Sequence, residues 1–129
     1  MDLLVTTVAG PARLYRNVAA KKGHWLMVRA VDPSLGGRDA YGAEIVVKAG
    51  PRKWLGWINP ATSYLCSNDP RAHFGLGTAT AVDAVEVTWP DGAAESFAAP
   101  GIDRVLLLRK GAGKKMTRLE ARDRGESRN

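Results

Sequence analysis

Cys66 and His73 are the first residues to weigh for chemistry, because a thiol within reach of a histidine is the smallest nucleophile and base pair. The residues around the thiol, Ser63-Tyr64-Leu65-Cys66-Ser67, match no cysteine-protease signature, so a buried thiol acting as a small hydrophobe is expected. His73 stands in His73-Phe74-Gly75-Leu76-Gly77, a setting open to a general base or a metal ligand. The other histidine, His24, lies at a strand start, whereas a zinc or iron site needs three or four suitably spaced ligands. No metal and no cofactor are therefore expected. His73 is read as structural, bonding a nearby backbone carbonyl and pinning a turn. Gly75 and Gly77 would supply positive φ or close backbone approach.

Three acids, Glu86, Asp91 and Glu95, are close enough in sequence to raise glycoside hydrolysis, which requires two carboxyl groups converging on a cleft. One falls on the polar face of a strand and the others in or after a turn, so solvated charge is expected of all three. Leu35-Gly36-Gly37-Arg38-Asp39 has the glycines of a phosphate-cradling loop but not its Lys-Ser/Thr ending, and reads as a flexible turn. No residue is assigned a catalytic role, and the chain is read as not an enzyme.

The rings of Trp25, Trp54, Trp57, Trp89, Tyr41, Tyr64, Phe74 and Phe97 are assigned mostly to a core. The exception is Lys53-Trp54-Leu55-Gly56-Trp57-Ile58, where Trp54 and Trp57 fall on opposite faces of a strand and one is expected to stay partly exposed. Arg52, Lys53, Trp54 and Trp57 form the candidate binding surface.

The elements that position these residues are strands. Apolar residues recur at period two, or in short β-rich runs broken by Gly, Pro, Asn and Asp, and helical spacing is nearly absent. Strands are predicted at Leu3 to Val8, Arg13 to Arg16, 24 to 32, Ala43 to Lys48, Lys53 to Ile58, Val82 to Trp89, Ala94 to Phe97 and Val105 to Arg109. Over 24 to 32, Trp25, Met27 and Val31 share one face and Leu26, Val28 and Ala30 the other, the pattern of a central sandwich strand with Arg29 near an edge. Trp89-Pro90-Asp91-Gly92 reads as strand, turn, strand. The fold class is all-β: a β-sandwich or barrel-like antiparallel domain of about seven or eight short strands with a loose basic C-terminal tail.

With 129 residues the chain is the size of one domain. No run approaches the ~18 apolar residues that cross a bilayer, so no membrane insertion is expected. The start, Met1-Asp2-Leu3-Leu4, lacks the leader of a signal peptide, so the chain is expected to be cytoplasmic if it is free-standing. One cysteine excludes an internal disulfide. The net charge of +6 suggests a polyanion as partner, yet six Lys/Arg against three Asp/Glu lie from Gly113 onward, so half of it belongs to a tail. Arg13, Arg16, Lys21, Lys22, Lys48, Arg52, Lys53, Arg109, Lys110, Lys114 and Lys115 share no helix and no aromatic repeat, which makes nucleic-acid or polyanion binding the second reading.

Four segments carry a family likeness in order: Arg38-Asp39-Ala40-Tyr41-Gly42-Ala43, Ser63-Tyr64-Leu65-Cys66-Ser67, His73-Phe74-Gly75-Leu76-Gly77 and Val85-Glu86-Val87-Thr88-Trp89-Pro90-Asp91-Gly92. Together they resemble the ASPIC/UnbV domain over roughly residues 24 to 111; each alone is weak. The residues carrying the likeness are Asp39, Gly42, Ala43, Tyr64, His73, Phe74, Gly75, Leu76, Gly77, Trp89, Pro90 and Gly92. The resemblance implies a domain that follows a β-propeller of FG-GAP or VCBS repeats, at the C-terminal end of a longer secreted or cell-surface protein. Residues 1 to 20 resemble the closing strands of such a repeat plus a linker ending at Lys21-Lys22-Gly23. Residues 21 to 111 form the family-like domain, and 112 to 129 the flexible basic tail, where Met116 and Leu119 alone cannot anchor a helix. The Asp-x-Asp-x-Asp-Gly calcium loops of those propellers are missing, so calcium binding is not carried over. The leading expectation is a non-catalytic accessory module for protein binding or adhesion, its partner either the adjacent propeller or an external protein. An enzyme with an unfamiliar Cys66/His73 site ranks third.

Overall fold

Alternation of apolar and polar side chains becomes two facing sheets in the structure, a computed structural model that describes residues 2–20, 23–98 and 100–117. Lys21 and Lys22 of the expected linker, and residues 118–129 of the expected tail with Leu119, lie outside the described residues.

The described strands are β1 (Leu3–Val5), β2 (Arg13–Tyr15), β3 (His24–Asp32), β4 (Arg38–Asp39), β5 (Glu44–Ala49), β6 (Arg52–Trp57), β7 (Ala72–Gly77), β8 (Ala84–Thr88), β9 (Ala94–Ala98), β10 (Arg104–Arg109) and β11 (Lys114–Lys115). One sheet is built around β3, which pairs with β10 in parallel and with β7 and β4 antiparallel. The other is antiparallel throughout, in the order β11-β9-β8-β5-β6. Each keeps its own ladder, so the pair is a sandwich and not a closed barrel. Strands β1 and β2 pair with each other as a separate hairpin whose side chains are all exposed.

The inner faces supply one core. Leu26, Val28, Phe74, Leu76 and Leu108 come from the β3 sheet; Ile45, Val47, Val85 and Val87 come from the other. Trp89, just past β8, is the largest fully buried side chain. On β3 the two faces differ: Leu26, Val28 and Ala30 are fully buried while Trp25 and Met27 are half-buried and Arg29 is exposed. Burial of a side chain the size of Leu26 or Val28 contributes about 1.5 to 3 kcal/mol.

Three strands go beyond the sequence-based set: β4, β7 and β11. Strand β7 covers the segment expected to be a turn, because Gly75 and Gly77 outweighed a period-two pattern that was present: Ala72, Phe74 and Leu76 face the core and His73 faces out. Gly77 takes φ 60° as expected, but Gly75 has neither a positive φ nor any atom near its would-be Cβ. Strand β11 pairs with β9, so Lys114 and Lys115 belong to the folded sheet, beyond the Gly111 boundary expected from sequence. The Trp89-Pro90-Asp91-Gly92 turn forms as read, with the Gly92 N–H donating to the Trp89 carbonyl at 2.8 Å and Gly92 at φ 84°.

Gly56 on β6 sets how closely the sheets approach. A Cβ there would lie 2.9 Å from Cζ of Phe74, a buried ring. Gly56→Ala is expected to lower stability by about 1 to 3 kcal/mol through overpacking, whereas Gly75→Ala should stay within about 0.5 kcal/mol. Urea unfolding midpoints of the two variants check the contrast; equal midpoints would refute this account of the sheet spacing.

Candidate functional site

The residues singled out for chemistry scatter. Cys66 is exposed in the long connection between β6 and β7, not buried as expected. This segment lies over the surface, with Tyr64 and Leu65 beside it largely solvated and Leu65 at φ 51°. The thiol has no hydrogen bond to His73 or to any other described residue. His73 does not pin a turn through a carbonyl: it stands on the outer face of β7, where its ring stacks on Trp25 with centroids 6.3 Å apart. His24 instead meets Asp103, its Nδ1 2.7 Å from Oδ2, while Oδ1 accepts the Trp25 backbone N–H.

Two of the three acids expected to be solvated are buried. Glu86 faces outward from β8 yet is covered, and accepts a 2.5 Å bond from Lys48 Nζ. Glu95 is 4% exposed on the inward side of β9, where its carboxylate accepts the backbone N–H groups of Gly111 and Gly113 at 2.8 and 3.0 Å. A buried acid is tolerated where charge-assisted bonds replace water, and here they fix the turn that leads into β11. Only Asp91 is solvated as expected.

The candidate binding surface splits as the strand period requires. Trp54 points inward and packs against the core; Trp57 is 53% exposed on the outer face of the five-stranded sheet. Lys53 and Leu55 share that outer face, with Leu55 48% exposed, and Arg52 is exposed at the strand start.

A sizeable concavity lies elsewhere. A cleft of about 730 Å³ is bounded by the segment from Asp32 to Tyr41, by Pro90-Asp91 and by Lys110 and Arg29. Two of the four family-like segments thus meet here, although some fifty residues separate them in sequence. One wall is the loop read as a flexible turn. It is a hydrogen-bonded 3-10 turn, Pro33–Leu35, closed by Gly36 and Gly37 in the left-handed region at φ 70° and 74°. Asp32 caps it, Oδ1 accepting from the Ser34 N–H at 2.9 Å and from its hydroxyl at 2.6 Å.

Lys110 crosses the cleft floor. Its Nζ donates to Asp32 Oδ2 at 3.1 Å and to Asp91 Oδ2 at 2.6 Å. The Ser34 hydroxyl, then Lys110, hold the Asp32 carboxyl below its ordinary range; Lys110 does the same for Asp91; and Asp91 with Asp32 pushes the Lys110 ammonium up. Beside them Arg29 grips Asp39 with two parallel bonds, Nε to Oδ1 at 2.7 Å and Nη2 to Oδ2 at 3.2 Å, which raises the guanidinium further. None of these cleft partners is paired by sequence reasoning: 78 residues separate Asp32 from Lys110 and 19 separate Asp91 from it, while Arg29 and Asp39 lie on different strands.

The profile of the ASPIC and UnbV family matches residues 34–115. Over 116 residues the chain is 36% identical to cartilage acidic protein 1 of Mus musculus, an alignment that takes in 84% of this chain and 17% of that protein. Over 98 residues it is 38% identical to the Homo sapiens protein of the same name, taking in 71% and 14%. The chain therefore spans less than a fifth of the length of these relatives.

The Lys110 bridge makes a pH prediction. Asp32 and Asp91 titrate lower when folded, so their contribution is complete above about pH 4 and is lost as pH falls through the folded values. Lys110 titrates higher when folded, so its contribution is complete below about pH 10 and is lost as pH rises through the folded value. Thermal midpoints across pH 2 to 11 should show both arms, and Lys110→Met should flatten the acid and alkaline arms together. Identical profiles for the two proteins would contradict the bridge.

Proposed function

The chain belongs to the ASPIC and UnbV family, and from that premise we propose that it is a non-catalytic interaction domain of a larger secreted or cell-surface protein, binding a protein partner through the outer face of its five-stranded sheet. Trp57 carries this reading. A large ring left half in water on a flat strand face, with Leu55 beside it, forgoes burial that a partner would restore, and exposed Trp is a frequent anchor of protein interfaces. Lys53, on the same face and without a described partner, supplies a charge at the rim.

Extracellular placement is supported by relatives named for cartilage, and the partner is either a neighbouring domain of the longer protein or a separate one. The exposed β1–β2 hairpin fits the closing strands of a preceding repeat, because an isolated two-stranded ribbon is marginal in water and gains from a third strand.

The polyanion reading is weaker. Lys48 and Lys110 are already paired with carboxylates. Lys53 and Lys114 occupy opposite edges of the five-stranded sheet, about 19 Å apart at the usual strand spacing. Among these described lysines, such dispersion gives no continuous track for a phosphate or sulfate chain.

Benzoylphenylalanine placed at position 55, in the protein as its gene encodes it and in the cells that make it, tests the proposal by photo-crosslinking. A discrete crosslinked species that disappears with Trp57→Ala is expected. Absence of a discrete species, or the same species from a probe at position 65 in the β6–β7 connection, would refute it.

A further inference from the structure

The cleft beside Tyr41 is a second surface, distinct from the Trp57 face, and cationic N–H groups in it are left without described acceptors. Every carboxylate oxygen in it is engaged. Asp39 Oδ1 and Oδ2 accept from Arg29. Asp32 Oδ1 accepts from Ser34 and Oδ2 from Lys110. Asp91 Oδ1 accepts from the Ala93 N–H and Oδ2 from Lys110.

The cations are not used up. Arg38 makes a single described bond, Nε to the Leu35 carbonyl at 3.2 Å, leaving both Nη groups without a described acceptor. Arg29 keeps Nη1 free among the described residues, and Lys110 has a third N–H beyond its two carboxylate bonds. The unused cationic N–H groups are therefore the cleft's distinctive capacity, and a ligand that complements them brings acceptors.

Charge and apolar surface narrow the ligand further. Arg29, Arg38 and Lys110 balance Asp32, Asp39 and Asp91, so the lining is neutral overall and Arg38 is its one cation without a carboxylate partner. This suits a single negative charge and offers little to a polyanion or a dianion. Leu35 and Tyr41, both more than half exposed, and Pro90 give the same cleft an apolar wall. A volume of about 730 Å³ lies within the ordinary range of ligand pockets.

We propose that this cleft binds a segment of protein presenting an acidic side chain next to an apolar one, the carboxylate taken by Arg38 and the apolar group laid against Leu35, Tyr41 and Pro90. Arg38 acts as the fork that fixes the carboxylate's orientation. Arg29 and Lys110, held by their own carboxylates, keep the floor rigid without a competing free charge.

The test is an NMR titration of the ¹⁵N-labelled chain with acetylated Leu-Glu-Leu-Glu amide, its Leu-Gln-Leu-Gln counterpart, inorganic sulfate and inorganic phosphate, all at matched ionic strength. Saturable shifts are expected for the amides of Arg38, Tyr41 and Asp91 with the Glu peptide alone. Arg38→Ala should weaken that binding about tenfold, the usual effect of losing a charge-assisted bond. Tyr41→Ala, also a surface change, should weaken it as well, and Trp57→Ala should leave it unchanged, so failure here is separable from failure of the sheet-face reading. Equal binding of the Gln peptide, shifts outside the cleft, or the same shifts from sulfate or phosphate at equal concentration would overturn the proposal.

Discussion

Burial of one side chain in two, on both sheets at once, is the constraint on which the other features depend. Leu26 and Val28 from one layer and Ile45, Val47, Val85 and Val87 from the other are fully enclosed, and Trp89 fills the space where β8 turns toward β9. Because Phe74 lies against Gly56 with no room for a methyl group, the spacing of the layers is set by that contact near the β6 and β7 edges. Polar groups are consequently displaced to outer faces, edges and ends. Where an acid is nonetheless buried, as with Glu95 and Asp32, it accepts hydrogen bonds from backbone N–H groups or from a neighbouring cation.

The parallel strand β10 is the least expected part of the architecture, and polar contacts hold it at both ends. At its start the Asp103 N–H donates to the Trp25 carbonyl at 2.7 Å, while its carboxylate accepts the Trp25 N–H and meets His24. Beyond its end the Lys110 N–H donates to the Val31 carbonyl at 3.0 Å, and its ammonium reaches Asp32 and Asp91. A parallel pair closed across so much chain has slower and slightly weaker pairing than a hairpin. The two clamps fix its register from Leu26 to Val31. One of them also lines the cleft, so the fold's closure and this concavity share the same lysine.

Eight of the eleven described strands were legible as alternating or β-rich runs, and so was the turn at Trp89 to Gly92. Strand β7 was misread because glycine is a turn signal in isolation, although Phe74 and Leu76 already marked a buried face. The split of Trp54 and Trp57 followed from an odd spacing alone. Cys66 was assigned to the interior on residue type, yet its connection is too rich in polar and turn-forming neighbours to be drawn under a sheet. The acids Glu86 and Glu95 were placed in water on residue type as well, and both found donors that sequence proximity does not reveal.

The sequence by itself determined an all-β chain, the inward set on most strands, the absence of an internal disulfide and the family likeness, since each of these rests on residue type or on a spacing of a few residues. The tertiary structure alone decided the parallel return of β10, the bridge from Lys110 to Asp32 and Asp91, and the meeting of Arg38 and Tyr41 with Pro90 in one cleft. These join residues from 19 positions apart, Asp91 with Lys110, to 78, Asp32 with Lys110. Local patterning carries no record of such pairings, because they form only when burial of the two inner faces brings the ends of distant strands together.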